Sequence, residues 1–373
     1  MKVFFLHFFD FSPSNGISKK IFAQICALEQ CGCEVLLCHT KIEKNGTQKR
    51  VCGDDVIDDF GDGFLGRIIK WFRFAPLTRY IIDNNPDLLY VRSFYNATPS
   101  FVKMLKDLKS AGVKIVMEYP TYPYNGEFAK IPLKNKIPYY FNKYYGRKLK
   151  KYVNYIVTFS DYKSIEGIET IRISNGIDFS AVKVIDRQEN LSGTLNLIGV
   201  AEIHYWHGFD RVIRGMADFY CKNPDKRVLF DIVGEGVEDD LNYLKNLTKE
   251  LNLANYVTFH GNQYGPELDT LFDKADFGIA SLARHRSGIS KLKTLKNREY
   301  AARGIPFIYS EIDDDFEEMP YIIKAPADDS PIDIHAIADF HSNLKMTPEQ
   351  IRETVSGTLS WKVQMQKVID SIC

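Results

Sequence analysis

The chain has 373 residues, more than a single hydrophobic core usually serves, so its length predicts two domains of ordinary size. Its 48 lysines and arginines balance its 48 aspartates and glutamates, which argues against a nucleic-acid-binding protein driven by overall charge. The sequence has no run of eighteen apolar residues, and Met1 leads into a strand-like segment instead of a signal peptide. We therefore expect a cytoplasmic protein.

Five of the seven cysteines lie within the first 52 residues, which raises the question of a metal site or a disulfide. The total is odd, no Cys-x-x-Cys pair is present, and most of the cysteines fall in apolar helix or strand patterns. A free cysteine in such a pattern packs as a small hydrophobe. We therefore expect buried free thiols at Cys26, Cys31, Cys33, Cys38 and Cys52.

Strands and helices alternate in the N-terminal half, which predicts a parallel, doubly wound α/β sheet. A first strand, Lys2 to Phe8, leads through a loop with one glycine, Gly16, into a helix that begins near Ser18. A dinucleotide-binding fingerprint needs three glycines at fixed spacing, so we do not expect a site for NAD. Taken alone, the loop is consistent with a tight turn in which Ser18 caps the helix. A polar segment from Cys52 to Gly63 is expected to be exposed.

A later buried strand, Val113 to Met117, delivers Glu118 and the aromatic loop Tyr119 to Tyr124. Ligands of parallel sheets gather at the carboxyl ends of the strands, where acidic chemistry would also sit. Glu118 is therefore a candidate catalytic carboxylate. The alternative is a polar residue that only closes a strand.

The segment from Lys130 to Lys151 contains eight cations and five aromatic residues without a single acid. Stacking on nucleic-acid bases, an amphipathic helix facing lipid headgroups and a plain surface helix would each fit this composition. The absence of a basic excess elsewhere argues against nucleic acid. A surface helix and apposition to an anionic membrane both remain open.

The second half repeats the α/β alternation after a polar stretch, Asp186 to Gly193, that we interpret as an interdomain linker. Glycines at the ends of its strands would let a ligand approach the backbone. They are Gly234, Gly236 and Gly261. The acidic run Glu311 to Glu318 contains Asp313-Asp314-Asp315, which could be mistaken for a metal-binding Asp-x-Asp, but its place after the last core strand predicts a solvated acidic loop. No metal site is expected.

The stretch from Arg284 to Ser310 predicts a cationic loop, a helix and a strand. The helix should end at Gly304, which suits a C-cap, and Pro306 prevents its continuation. Free N–H groups at a helix N-terminus attract phosphate, so the basic residues before this helix suit a nucleotide diphosphate. They are Arg284, His285, Arg286, Lys291, Lys293 and, at the helix start, Lys296.

Within this stretch, the pattern Leu-Lys-x-x-Glu-Tyr-x-Ala-x-Gly-x-Pro from Leu295 to Pro306 resembles the donor-site helix of retaining glycosyltransferases of family 4. The string Asn175 to Asp178 resembles the Asn-Gly-Ile-Asp element of that family, and Trp361 resembles an aromatic residue of its last helix. The resemblance implies the GT-B fold, with two Rossmann-like α/β/α domains, an interdomain cleft and a C-terminal helix crossing back to the N-terminal domain. We place these domains at residues 1–180 (acceptor side), 190–350 (sugar-nucleotide binding) and 351–373 (returning helix).

The resemblance also implies roles for individual residues. Glu299 would hold the ribose hydroxyls with Lys296 nearby, the nucleobase would lie against backbone at Gly261, and Gly16, with Asn15 and Ser18, would face the cleft. Three positions depart from the pattern. Lys291 stands where the family has a first glutamate. In the loop after the first strand of the second half, Glu202 and His207-Gly208 replace the Arg and the Lys-Gly that clamp the donor diphosphate in the family. Compensating charge is expected from His207, Arg211, Lys293 and Lys296.

From these features we expect a metal-independent transferase that needs no cofactor and uses a nucleotide-diphosphate sugar as its donor substrate. Its acceptor would be a glycan or a lipid-linked glycan, in cell-surface polysaccharide synthesis, and its catalytic residues would be Glu118, His207 and Lys296. The protein would be cytoplasmic and peripheral on the inner face of the membrane, through Lys130 to Lys151, with no nucleic-acid partner. A GT-B sugar-nucleotide epimerase and a non-catalytic sugar-nucleotide-binding protein remain alternatives.

Overall fold

The structure, a computed structural model, describes residues 1–12, 16–93, 97–120, 122, 137–186, 193–223 and 226–373. Several predictions concern residues outside these ranges: Asn15, half of the aromatic loop after Glu118, the cations from Lys130 to Lys136 and most of the linker. The chain forms two compact units. Unit 1 comprises Met1–Ser174 and Trp361–Cys373, and unit 2 comprises Asn175–Ser360.

Strands and helices alternate through both units. The strands of the described residues are β1 (Lys2–Leu6), β2 (Glu34–Ile42), β3 (Gln48–Cys52), β4 (Asp55–Gly61), β5 (Leu88–Arg92), β6 (Lys114–Tyr119), β7 (Tyr155–Thr158), β8 (Ser164–Ile165), β9 (Ile168–Arg172), β10 (Leu195–Val200), β11 (Val228–Val233), β12 (Val257–Gly261), β13 (Phe277–Ile279), β14 (Phe307–Tyr309) and β15 (Ile322–Lys324). The α-helices of the same residues are α1 (Gly16–Gln30), α2 (Gly63–Ile69), α3 (Ala75–Asn84), α4 (Pro99–Ser110), α5 (Ile137–Tyr145), α6 (Phe209–Lys222), α7 (Glu238–Glu250), α8 (Pro266–Lys274), α9 (Leu295–Arg303), α10 (Ile334–Asn343), α11 (Pro348–Ser356) and α12 (Trp361–Ile372). Short 3-10 helices cover Gly146–Lys151, Tyr205–His207 and Arg284–Ser287.

Each unit is built on a largely parallel sheet, as the alternation predicts. Among the described residues, the sheet of unit 1 has the order β4-β3-β2-β1-β5-β6-β7-β9-β8, with β3, β4 and β8 as antiparallel additions. The sheet of unit 2 has the order β12-β11-β10-β13-β14-β15 and is parallel throughout its described pairs. Numbered within the unit, this is the order 3-2-1-4-5-6 of doubly wound nucleotide-binding folds. The predicted α/β class is confirmed.

The chain returns to unit 1 through α12, as expected for the last helix. Trp361, Met365 and Val368 are buried against the core that also contains residues of α1 and β1. Gln364 links this helix to Ser174, the last residue of the first part of unit 1, since its side-chain oxygen accepts a 2.8 Å hydrogen bond from the backbone N–H of Ser174. None of the helices among the described residues combines the length and apolar character needed to cross a bilayer.

The cysteine expectation is only partly right. All seven cysteines are free, and Cys33, Cys38 and Cys52 are buried. Cys31 is half-buried and Cys26 is exposed. Cys26 lies on the outer side of α1, which its predicted helical pattern did not distinguish from the packed side.

A buried ion pair joins α9 to the loop after β14. Arg298 donates from Nη1 to Asp313 Oδ2 at 2.7 Å and from Nη2 to Asp313 Oδ1 at 3.2 Å. Both side chains are almost fully buried, and Asp315 is a further partner of the same guanidinium. The expectation of a solvated acidic loop is therefore wrong for Asp313.

We expect Asp313→Ala to lower the free energy of unfolding by about 3–5 kcal/mol, because it leaves a buried guanidinium without its partner. Asp314→Ala is the matched control, since the pair between Asp314 and Lys291 is partly exposed and should contribute less than about 1 kcal/mol. Urea unfolding followed by circular dichroism measures both changes. Equal midpoints for the two variants would contradict the structural role of Asp313.

Candidate functional site

The candidate site lies at the carboxyl edge of the unit 2 sheet, where β10 and β13 are neighbours and the strand order reverses. The loop after β10 pairs with the loop after β13. Leu282 donates its N–H to the His207 carbonyl at 2.9 Å, and Ala283 donates to the Trp206 carbonyl at 3.2 Å. Gly208 permits this approach, because a Cβ there would lie 2.9 Å from the Leu282 Cβ. The paired loops bring His207 and Arg284 to the same edge.

Helix α9 carries the next group of the site. Thr294 caps the helix by accepting a hydrogen bond from the Asn297 N–H, and Gly304 ends it in the left-handed conformation, with φ of 80°. Lys296 in the first turn is half-buried. The predicted helix bounds are thus confirmed, and they place Lys296 beside the cationic loop.

Glu311 completes a polar cluster that consists of His207, Arg284, Lys296 and Glu311. It follows β14, where the Ser310 N–H donates to the Ser281 carbonyl at 3.0 Å and holds the ends of β13 and β14 together. The Glu311 side chain is 2% exposed, and neither carboxylate oxygen has a hydrogen-bond partner in the structure. Buried acceptors nearly always have such a partner. An unsatisfied carboxylate in this position can accept hydrogen bonds from a bound ligand or from water.

Burial opposes charge throughout this cluster. It raises the pKa of the Glu311 carboxyl, whereas Arg284 and Lys296 lower it. It also lowers the pKa of the Lys296 ammonium, which nearby Arg284 lowers further. Each of these groups therefore depends on charged neighbours or on a bound ligand to keep its charge.

His207 is neutral in this cluster. Burial, followed by Lys296 and Arg284, holds the pKa of His207 well below its usual range. Its Nδ1 accepts a 3.1 Å hydrogen bond from the His204 N–H, which leaves the proton on Nε2. The lowered pKa argues against the expected positive charge on His207, and its role at a donor site stays a prediction. The imidazole can act as a neutral hydrogen-bond donor.

Arg211 does not offer its charge to a ligand. The side chain is fully buried and donates from Nε to the Ser330 carbonyl at 2.7 Å and from Nη1 to the Leu282 and Pro326 carbonyls. Asp328 accepts from Nη2 at 3.3 Å. These hydrogen bonds hold together the loops after β13 and β15, and the predicted binding of a diphosphate by Arg211 stays a prediction that they argue against.

Two more cations of the predicted loop are engaged within unit 2. Arg286 binds Asp210 through two hydrogen bonds of 2.8 and 2.9 Å. Lys291, at the position of the missing glutamate, lies 2.6 Å from Asp314. Arg284 lies over the Trp206 ring, 5.4 Å from its centroid. Of these three cations, Arg284 is the one that belongs to the polar cluster.

The predicted glycines have different environments. A Cβ on Gly234 would lie 1.9 Å from the Ala201 carbonyl oxygen, and one on Gly236 would lie 1.9 Å from that of Ile203. The sequence predicted that a ligand approaches these two glycines, but the group that lies close to each of them is a carbonyl of the protein's own backbone. Gly261, with φ of 67°, has more open space, because the nearest atom to a Cβ there would be a Glu235 oxygen at 3.9 Å.

Glu299 and Lys293 flank the polar cluster along the chain. Glu299 is half-buried and accepts two hydrogen bonds of 3.1 Å from Arg303, one turn later in α9. The carbonyl of Lys293 accepts a 2.6 Å hydrogen bond from the Asn175 side chain. Arg298 also donates to the Asn175 carbonyl, at 2.8 Å. The Asn-Gly turn is therefore anchored to the start of α9.

Glu118 and Gly16 belong to unit 1. Glu118 is fully buried and receives hydrogen bonds from Gln24, Tyr90 and Arg92 at 2.6 to 2.7 Å, while the Lys20 ammonium lies 3.4 Å away. Burial alone would raise its pKa, but these partners outweigh burial and lower the pKa of Glu118 to about 2. Gly16 is exposed at the start of α1. The structure thus shows Glu118 as a buried, ion-paired carboxylate that helps hold unit 1 together, and its catalytic role stays a prediction.

Sequence reasoning missed Glu311, which it assigned to a solvated acidic run. Its position in the sequence could have identified it as a candidate site residue, since Glu311 follows closely after a buried strand, at the carboxyl edge of a parallel sheet. Arg284 was recognised only as part of a cationic loop. Its contact with Trp206 depends on the pairing of two loops that lie far apart in the sequence.

No protein-family model and no curated protein matches the sequence. Solved structures do match it. A glycosyltransferase from Rickettsia africae ESF-5 aligns with a TM-score of 0.66 at 15% identity, over 100% of this chain and 98% of that one. A sucrose-phosphate synthase from Thermosynechococcus elongatus gives 0.65 at 13%, over 100% and 98% of the two chains. The Anabaena protein HepE, in complex with UDP, gives 0.62 at 14%, over 100% and 99%. The chain thus has the GT-B fold of these glycosyltransferases.

Proposed function

We propose that the protein is a glycosyltransferase that moves a sugar from a nucleotide-diphosphate sugar to a glycan or lipid-linked acceptor. The observation that carries this proposal is the buried, unpartnered Glu311 carboxylate beside Arg284 and Lys296. Leaving such a group unsatisfied costs about 1–3 kcal/mol or more. A ligand with hydroxyl groups for Glu311 and phosphates for the two cations would offset this cost, and a sugar nucleotide has both.

The likeness to solved structures supports the same ligand class. HepE has been solved in complex with UDP and in complex with UDP-glucose. We infer that this chain uses a comparable donor at the carboxyl edge of its unit 2 sheet.

Each group of the polar cluster has a role in the proposed reaction. Lys296 and Arg284 offset the negative charge that develops on the departing diphosphate, and Lys293 adds to this positive potential. His207 donates a hydrogen bond from its neutral imidazole. Glu311 accepts hydrogen bonds from sugar hydroxyls, and Glu299 accepts them from the ribose, as the family resemblance implies.

Several finer features belong to the same proposal. The resemblance at α9 supports membership of family 4 and retention of configuration. Metal-independent catalysis is supported by Asp313 and Asp315, whose carboxylates are engaged by Arg298. A cytoplasmic protein, peripheral on the inner face of the membrane and active in cell-surface polysaccharide synthesis, is supported by five exposed cations between Lys143 and Lys151.

Two rival functions use the same donor site. An epimerase would act on the sugar nucleotide alone, and a binding protein would show no turnover. Incubation of a radiolabelled sugar nucleotide with an acceptor extract separates them. We expect label to be transferred to the acceptor fraction. Epimerised donor, or bound but unchanged donor, would overturn the transferase assignment.

We expect Glu311→Gln to raise the dissociation constant of the donor by about tenfold or more, the effect of losing a charged hydrogen-bond acceptor. The melting temperature should stay the same or rise, because the substitution removes a buried charge. Glu318→Gln, on the exposed part of the same loop, is the matched control. Calorimetric titration with UDP-, GDP- and ADP-sugars gives the affinities. Unchanged binding in Glu311→Gln would exclude this role.

Glu299→Gln should preserve the fold and weaken donor binding by about tenfold or more, because a charged acceptor for the ribose is lost. Glu267→Gln, at an exposed position of α8, controls for loss of surface charge. The same titration should show the effect with the nucleotide diphosphate alone, which distinguishes a ribose contact from a sugar contact. If Glu299→Gln binds the donor with the dissociation constant of the wild type, Glu299 does not bind the ribose.

Transferase activity should persist in about 10 mM EDTA, because in this proposal the lysine and arginine side chains offset the diphosphate charge. Initial rates are compared before and after chelation and after addition of Mn²⁺ or Mg²⁺. Activity that disappears in chelator and returns with either metal would contradict metal independence.

A further inference from the structure

Helix α2 presents its apolar side chains to solvent. Phe64 is 75% exposed and Leu65 is 71% exposed, the highest values among the large apolar residues of the described chain. Ile68 and Ile69 on the same helix and Phe72 just after it are also exposed, at 39 to 44%. Five large apolar side chains within nine residues are therefore unburied in unit 1.

The packing of α2 fixes this orientation. Gly66 is its one buried residue, and a Cβ there would lie 2.7 Å from the Gly61 carbonyl oxygen and 2.9 Å from that of Phe60. The helix is thus seated on the backbone at the end of β4 through a glycine. Rotating its apolar side chains inward would drive them into that backbone, so the outward orientation is a property of the fold.

The exposed surface continues onto α5. The ring of Phe72 contacts that of Phe141 edge-on at 5.9 Å, and Phe141 stacks with Tyr145 at 6.1 Å. Tyr140 and Tyr144 of the same helix are 57% and 68% exposed. We call α2, Phe72, α5 and the 3-10 helix that follows it the apolar-basic surface.

Cations accompany the apolar residues of this surface. They are Arg67, Arg73, Lys143, Arg147, Lys148, Lys150 and Lys151, and all are exposed. The nearby acids are fewer: Asp59, Asp62 and Glu166 are exposed, the last of them against Gly146, whereas buried Asp58 is neutralised by Arg50 and Arg73. Exposed aromatic and aliphatic side chains combined with a basic surplus are the chemistry of elements that lie in a membrane interface.

We propose that the apolar-basic surface docks on an anionic lipid bilayer, with Phe64 and Leu65 inserted at the boundary between headgroups and acyl chains. The cations contact the lipid phosphates. A second copy of the chain fits this surface less well than a bilayer does, because a two-fold interface would place the cations of one copy against those of the other. The inference deepens the peripheral membrane location of the proposed function and rests on it, but it is argued from unit 1 alone and is independent of the proposed donor site in unit 2.

The test is co-sedimentation of the full chain with vesicles of phosphatidylcholine, with and without about one-third phosphatidylglycerol. We expect binding to the anionic vesicles that falls as salt rises toward about 0.5 M. The double variant Phe64→Ser/Leu65→Ser should lose binding by about tenfold or more, because the inserted apolar area is gone. Ile82→Ser, at an exposed apolar position of α3 away from the surface, should bind like the wild type.

Three outcomes would overturn the proposal. One is wild-type protein that stays in the supernatant at low salt. Another is equal vesicle binding by the wild type and the double variant, which would assign binding to the cations alone. The third is a wild-type dimer, seen by analytical ultracentrifugation, that the double variant lacks, which would assign the surface to a second copy. Calorimetric titration with the donor should give the same affinity for the double variant and the wild type, so failure here leaves the donor site untouched.

Discussion

The buried pair between Arg298 and Asp313 fixes the two elements on which the candidate site depends. Lys296 precedes Arg298 by two residues in α9, and Glu311 precedes Asp313 by two residues after β14. The same guanidinium binds the carbonyls of Asn175 and Thr294, so it also positions the loop before the helix. A substitution in this pair would therefore move a cation and a carboxylate of the site together, although neither partner belongs to the site.

Two buried glutamates in this chain show how a structural carboxylate differs from a candidate binding group. Glu118 has hydrogen bonds from three side chains and a lysine nearby, and its pKa is lowered to about 2. Glu311 is buried to a similar degree, but neither of its carboxylate oxygens has a hydrogen-bond partner, and its pKa is raised. Burial alone thus does not indicate function. A buried acceptor that the protein leaves unsatisfied does, because folding provides no compensation for its desolvation.

Much of the architecture was accessible from the sequence because it depends on local patterns. The strand-helix alternation and the cap at Gly304 follow from hydrophobic periodicity and turn chemistry, whereas the returning helix at Trp361 was implied by the family resemblance. Contacts between side chains that lie far apart in the sequence could not be predicted from these local patterns. The polar segment from Cys52 to Gly63 contains strand β4 because Asp58 pairs with Arg50, and the buried state of Arg211 depends on carbonyls more than seventy residues away.

The positive charge of the candidate site comes from an unexpected part of the sheet. The family resemblance places diphosphate-binding cations in the loop after β10, but this chain has neutral His207 there, and Arg211 is turned into the core. The remaining cations follow β13 and open α9, one strand further along the sheet. In the proposed function, Arg284, Lys293 and Lys296 would act on the diphosphate from the side on which Glu311 lies. A donor bound in this way would meet its charge-stabilising groups and its hydroxyl acceptor on neighbouring strand ends, which explains how the chain can lack the basic loop.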